Sequence, residues 1–200
     1  MDCCSLRPDE YKPFHLANNY MKNRVIALLT AGVFSLFFGA FVTGCASCKP
    51  GKPGPTGQYT IDVTLDESLK TSSVIVDLVG VNPSSLSRGE NYDMGKYWKE
   101  GDPMRRDADK VVLTFLSGQA VNKSMSNTDP QWEKWKAKGV THVLVLADLP
   151  GTQTSRPGSQ DARRQVLPLD ECSWPPKTTQ LKLLVQRSGI VVLTPVRTVK

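Results

Sequence analysis

Five cysteines and two histidines are the residues of this 200-residue chain best suited to nucleophilic or metal chemistry. Their placing argues against both. His142 is the only histidine beyond His15, and it alternates with Leu144 and Leu146. That period-two pattern puts it on a strand and predicts a structural role. A Ser-His-Asp relay would have to use His142, yet no Gly-x-Ser-x-Gly turn accompanies any serine. His142, Cys48 and Cys172 have no spacing known for zinc. Carboxylates occur as Asp66/Glu67, Asp107/Asp109 and Asp170/Glu171, each at an expected strand end. A glycosidase needs two carboxylates facing across a cleft, which adjacency in sequence neither shows nor excludes. There is no phosphate-binding glycine loop of either common kind. The expectation is therefore no catalytic residue, no metal and no cofactor.

The thiol with the clearest chemical context is Cys45. Met21 is followed by Lys22 and Arg24, and Val25 to Val42 then carries no charge. Val42-Thr43-Gly44-Cys45 closes that run with an aliphatic residue, two small residues and a cysteine. This order resembles a bacterial lipoprotein signal peptide, in which the cysteine thiol receives diacylglycerol and cleavage falls before it. Small residues are needed because the peptidase must approach the backbone closely. The other reading is one membrane-anchor helix, which needs roughly 20 apolar residues. Both readings place residues after Cys45 outside the cytoplasm. Residues 1–20 have charges of both signs and no apolar run, so translation is expected to begin at Met21 and Cys3 and Cys4 to carry no function. Residue Ala46 is not the Asp that retains enterobacterial lipoproteins in the inner membrane, which the resemblance reads as sorting to the outer membrane, facing the periplasm.

With Cys45 acylated, Cys48 and Cys172 remain in an oxidising compartment. They either pair and pin the tether to the domain or stand as two thiols. Residues 45–58 read as that tether, since SCKPGKPGPTGQ alternates Pro, Gly and Lys and forms neither helix nor core strand. Extended, it reaches roughly 35–40 Å.

Residues 59–200 must supply the fold. Tyr59–Leu65 alternates cleanly, while Ser73–Val81 and Val140–Leu149 are apolar on both faces and suit central strands. Lys110–Leu116, Arg163–Leu169, Gln180–Gln186 and Ile190–Val196 complete seven candidates, the last two closing a hairpin around Arg187-Ser188-Gly189. Seven strands with turn signals predict an all-β, seven-stranded β-sandwich; a small barrel is the alternative. A short helix is expected over Asp129–Gly139, with Asp129 capping and Gly139 stopping it. The long segment Asn82–Asp109 should hold a turn of helix around Tyr97-Trp98.

The net charge of +6 is dispersed and points to no nucleic-acid partner. Arg105-Arg106, Lys134-Lys136-Lys138 and Arg163-Arg164 read as solvated surface, or as a patch for anionic lipid or glycan. Trp132 and Trp135 share a helix face and should pack on the sandwich. Tyr92, Tyr97 and Trp98 are either partner contacts or a small core under their own loop.

The order of these parts resembles the TssJ family, outer-membrane lipoproteins of type VI secretion systems. The resemblance rests on the lipobox, the tether, Val74-Ile75-Val76-Asp77-Leu78, Val143-Leu144-Val145-Leu146-Ala147-Asp148, Arg163-Arg164-Gln165-Val166-Leu167-Pro168-Leu169 and the final hairpin from Leu181 to Leu193. It implies a transthyretin-like sandwich with a helical addition. It also implies a non-enzymatic role, tying an envelope complex to the outer membrane by binding the periplasmic part of an inner-membrane subunit, TssM. The family's partner-binding first hairpin loop corresponds here to the short Asp66-Glu67-Ser68-Leu69-Lys70-Thr71-Ser72. Candidate contacts are thus Asp66, Glu67, Leu69 and Lys70, with Tyr92, Tyr97 and Trp98. The competing function is a periplasmic glycan-binding or hydrolytic lipoprotein domain.

Overall fold

The computed structural model describes residues 56–151 and 154–197. Val42, Thr43, Gly44, Cys45 and Cys48 lie outside them, as do residues 1–41.

Eight strands form two four-stranded sheets. The first has the order β4-β1-β7-β8, from β1 (Thr60–Leu65), β4 (Asn122–Met125), β7 (Gln180–Gln186) and β8 (Gly189–Val192). The second has the order β3-β2-β5-β6, from β2 (Val74–Val81), β3 (Lys110–Phe115), β5 (His142–Asp148) and β6 (Arg164–Pro168). Neighbours run antiparallel except β1 and β7, which are parallel with Thr60 opposite Gln180. The architecture is the expected all-β sandwich, with one strand more than the seven expected.

Each strand buries the residues its pattern marks. Ile61, Val63 and Leu65 of β1 face Val74, Val76 and Leu78 of β2 and Val143, Val145 and Ala147 of β5 across one core. The strands β2 and β5 are apolar on both faces because both are covered. Val79, Val81, Leu144 and Leu146 point outward into a second cluster, under the segment that joins β2 to β3.

That segment is more ordered than a single turn around Tyr97-Trp98. It forms α1 (Pro83–Asn91), α2 (Met94–Tyr97) and α3 (Pro103–Asp107). Each is started by a side-chain cap. Asn82 and Ser85 make a reciprocal capping box, Asp93 accepts from the Lys96 N–H, and Asp102 accepts from the Arg105 N–H. Pro at the first turn of α1 and α3 is preset for helix.

The fourth helix, α4, covers Gln131–Ala137, inside the expected span. Asp129 Oδ1 accepts the Gln131 N–H at 2.8 Å, and Gly139 takes the left-handed conformation at φ 65° that ends the helix. Trp132 and Trp135 pack edge to face, centroids 5.2 Å apart, and both are buried in the main core.

Two strand readings are corrected. The missed strand β4 has one buried apolar residue, Met125, so alternation could not reveal it. It is specified by pairing with β1. The expected strand Ile190–Val196 ends at Val192, because Thr194 Oγ1 takes the Lys182 N–H at 2.8 Å and the side chain replaces the ladder.

The strands give the sandwich two ends. At the entry end lie Thr56, α4 and the 3-10 turn Glu171–Ser173, with Thr56 bridged to Asp170. At the far end lie the β1–β2 turn at Glu67–Leu69, the β3–β4 loop and the β7–β8 turn.

Candidate functional site

The loops at the far end are knitted together by backbone carbonyls. Gly118 N–H donates to Lys70 O at 3.0 Å, Ser117 Oγ to Thr71 O at 3.0 Å, and Arg187 Nε to Ser68 O at 3.0 Å. Asp66 caps the turn by accepting the Ser68 N–H at 3.0 Å. Hydrogen bonds from Ser68 hold the Asp66 carboxyl below its ordinary range. Leu69 is fully buried and anchors the loop in the core, so it is corrected from a contact residue to a packing one. The exposed chemistry here is a pair of opposite charges, Lys70 Nζ 2.5 Å from Glu67 Oε2.

The aromatic segment divides the same way. Tyr97 is 1% exposed and cannot be a surface contact as it stands. Its hydroxyl donates to Asp77 Oδ2 at 2.9 Å, and Arg105 Nε donates to that same oxygen at 2.9 Å. Asp77 lies on the outer face of β2 and is wholly buried. Burial first, and the Asp77 carboxylate second, push the Tyr97 phenol well above its ordinary value. Trp98 packs edge to face on Tyr97 at 5.1 Å, and the Arg105 guanidinium lies 4.5 Å from the Trp98 ring centre. Tyr92 donates to Asp102 at 2.8 Å. Tyr92 and Trp98 are half-buried against the second cluster. The segment is thus a small core with a polar clamp.

Sequence reasoning missed the other half of this clamp. Arg163 and Arg164, read as solvated, are buried at 7% and 1% exposure. Arg163 forms a double contact with Asp161, Nε to Oδ1 at 3.0 Å and Nη2 to Oδ2 at 2.8 Å. Arg164 donates to the carbonyls of Gly89, at 2.9 Å, and Tyr92, at 2.8 Å, tying the end of α1 to β6.

The expected carboxylate pairs serve local structure. Asp107 bonds Arg106 at 2.8 Å, and Asp170 caps Ser173 at 2.9 Å. Burial alone would raise Asp109, but its hydrogen bonds from Lys138 and Gln131 outweigh that and hold it low. His142 is half-buried, its Nδ1 2.9 Å from Thr141 Oγ1, and burial lowers its pKa. No group of three or more metal-ligating side chains converges among the described residues.

An open groove of about 330 Å³ lies between the outer face of β2 and α3. A larger groove, about 630 Å³, lies at the entry end between Gln58, Trp132, Lys136, Val140, Leu169 and Glu171. Beside it, Cys172 is disulfide-bonded. Tyr59, at the same end, is buried, and burial, then Glu171 and Asp170, push its phenol up to about 12.

No family model matches the chain, and no curated protein matches it. Among solved structures, it is similar to Serratia marcescens Lip, a membrane-bound component of the type VI secretion system, at 12% identity and TM-score 0.44, over 72% of this chain and all (100%) of that one. It is similar to the type VI secretion lipoprotein TssJ1 of Pseudomonas aeruginosa at 12% identity and TM-score 0.43, over 73% of this chain and 100% of that one. It is also similar to a chain in the structure of the TssM C-terminal domain from EAEC, at 14% identity and TM-score 0.42, over 68% and 99%.

Proposed function

We propose that this chain is a lipid-anchored subunit of an envelope complex, the type VI secretion membrane complex, acting by binding rather than by catalysis. The observation that carries the reading is the sequence Val42-Thr43-Gly44-Cys45 behind an uncharged run, followed by a tether and a β-sandwich. Cys45 carries the lipid. The acyl chains hold the protein in the outer membrane, periplasm-facing, because each buried CH₂ contributes about 0.8 kcal/mol. Support for a binding role comes from the carboxylates that could have done acid–base work. Asp66, Asp107, Asp109 and Asp170 each cap a turn or pair with a base.

The partner surface in this reading is the far end, where Glu67 and Lys70 are exposed on a loop that Leu69 anchors. Rigid loops with exposed charges suit recognition of a folded partner, since little order is lost on binding. The partner is an inner-membrane or periplasmic protein of TssM type.

Metabolic labelling with radioactive palmitate tests the anchor. The wild-type chain should take label and float with membranes, and Cys45→Ala should do neither. Label retained by Cys45→Ala overturns the assignment. For the partner, tagged protein is recovered from detergent-solubilised envelopes of a host that encodes the secretion system. The TssM-type subunit should co-purify, and the double variant Glu67→Lys/Lys70→Glu should recover several-fold less of it. Recovery of bound peptidoglycan fragments without that subunit would favour the glycan-binding alternative.

A further inference from the structure

We infer that the open edge of β3 is a docking site for an extended strand of another protein, paired antiparallel, apolar along its length and acidic where it passes Lys110. The inference goes beyond the role proposed for the far-end loop and does not depend on the lipid anchor.

The two sheets have four edge strands, β4 and β8 in the first and β3 and β6 in the second. An exposed edge invites pairing with other chains, and proteins blunt it with short strands, lysines, prolines or covering segments. Three of these four are blunted. The edges of β6 and β8 close on each other, since the Ile190 N–H donates to Ala162 O at 2.8 Å and Gln165 Nε2 to Ile190 O at 3.0 Å. Pro168 also ends β6. Strand β4 is four residues long, and Asn122, Lys123 and Ser124 make it polar. Strand β3 has six residues in unbroken register with β2, without a proline or a bulge.

Which groups β3 leaves open follows from its ladder. The Gly80 N–H donates to Asp109 O at 3.0 Å, so Gly80 and Asp109 form a bonded pair next to Val79 and Lys110. Bonded and non-bonded pairs alternate along an antiparallel ladder. Val111, Leu113 and Phe115 therefore exchange backbone bonds with β2, while Lys110, Val112 and Thr114 turn theirs to the other side. Among the described residues, no hydrogen bond joins β3 to β4 or reaches the backbone of Val112 or Thr114 from that side. The same alternation sets the side chains. Leu113 and Phe115 are in the core, whereas Val112 is 46% exposed, Leu116 48%, and Thr114 between them is exposed too. An open ladder with accessible side chains at every second position is what strand addition uses.

The chemistry of the occupant is set by what lies past Lys110. A surface pocket of about 280 Å³ opens there, lined by Lys99, Arg105, Arg106 and Lys110 with Glu100 and Asp102. Arg105 is paired with Asp77, and Arg106 with Asp107. Lys99 and Lys110 are in no ion pair among the described residues, and Lys110 Nζ donates to the Arg105 carbonyl instead. An acidic residue placed here gains two cations without displacing a native carboxylate. Antiparallel pairing, slightly the more stable kind, puts the C-terminal side of the incoming strand at this pocket. A second copy of the chain fits less well. Two β3 strands paired antiparallel would bring Lys110 of each beside Leu116 and residues 117–122 of the other, which contain no carboxylate.

The test uses the full chain purified from membranes in detergent, with hydrogen exchange read at single amides by fragmentation mass spectrometry. In the free protein the Val112 and Thr114 amides should exchange at least about tenfold faster than those of Val111, Leu113 and Phe115. Uniform protection along β3 overturns the open edge. The binding probe is the synthetic peptide TVTVTVTDEE, acetylated and amidated, compared with the reversed order EEDTVTVTVT. The first should slow exchange at Val112 and Thr114 by at least about fivefold and bind at least about fivefold more tightly than the second. No protection of those two amides at about 1 mM peptide, or protection of β4 or β8 instead, overturns the site. Equal affinity for the two peptides, within about twofold, overturns the acidic partner and its direction. Val112→Lys, checked by near-ultraviolet circular dichroism, should weaken binding at least about tenfold. Lys99→Glu, at an exposed position, should weaken it about fivefold and decides the matter if the first variant does not fold. Unchanged affinity in either folded variant overturns the proposal. A sedimenting dimer that Val112→Lys turns into a monomer overturns the foreign strand in favour of self-pairing.

Discussion

Arg105 decides whether a wholly buried carboxylate is tolerated. Asp77 has one oxygen held by Arg105 and Tyr97, while its Oδ1 has no partner among the described residues. Removing the cation leaves that charge buried and uncompensated. Arg105→Ala is therefore expected to destabilise by about 3–5 kcal/mol in urea unfolding, and Arg105→Ala/Asp77→Leu by markedly less. A single-variant loss below 1 kcal/mol would mean that Tyr97 alone satisfies the carboxylate. His142 gives the domain a pH dependence of definite sign. Burial lowers its folded pKa below the ordinary 6.5, so the unfolded chain binds the proton first as pH falls. Stability contributed this way is complete above about 6.5 and is lost as pH drops through the folded value. His142→Gln should flatten that part of the urea-midpoint curve against pH. At this scale the sequence was half legible. The strand-end positions of Asp66 and Asp170 and the place of His142 on a strand follow from spacing, while the caps those carboxylates make do not. Arg163 and Arg164 were misread because two adjacent arginines look solvated. Their burial depends on Asp161 and on the carbonyls of Gly89 and Tyr92, and the latter are brought near only by the fold.

Among the elements, the inner face of the second sheet is where packing is least forgiving. Gly80 sits on β2 with the Trp135 indole so close that a Cβ there would fall 2.5 Å from its nitrogen. Gly80→Ala must move α4 or bend the strand. A loss of about 1–3 kcal/mol is expected, together with a changed tryptophan band in near-ultraviolet circular dichroism. An unchanged spectrum would show that the helix moves as a rigid body without altering the Trp132–Trp135 pair. Elements were legible where burial wrote a period into the chain. Seven strands and α4 were readable for that reason. Strand β4 was not, since Asn122, Lys123 and Ser124 carry no apolar signal and their pairing with β1 is a long-range event. The helices α1 and α3 had local signals, Pro after Asn82 and after Asp102, that a search for apolar periodicity passes over. Tyr97 could be told from Tyr92 and Trp98 only once α2 fixed which ring points inward.

For the whole molecule, the bond at Cys172 is a constraint on the unfolded chain as much as a contact in the folded one. A disulfide typically contributes about 2–4 kcal/mol through lost chain entropy. Reduction under mild denaturant should lower the unfolding midpoint accordingly, and Cys172→Ser should match the reduced wild type. A midpoint insensitive to reductant would place the bond outside the cooperative unit. The two ends of the sandwich were not legible in sequence at all, because which loops share an end depends on strand direction. The parallel register of β1 and β7 supplies it, placing Asp66 beside the β7–β8 turn.

That parallel pair also sets an order in time. Thr60 opens the first strand, yet its partner Gln180 is near the end of the chain. Four strands of the second sheet are antiparallel and complete by Pro168, while β1 waits between β4 and a β7 not yet delivered. A chain that arrives N-terminus first cannot close its first sheet until nearly all of it has arrived, and non-local pairings of this kind form slowly. The second sheet can therefore be complete while the first still lacks its central pair.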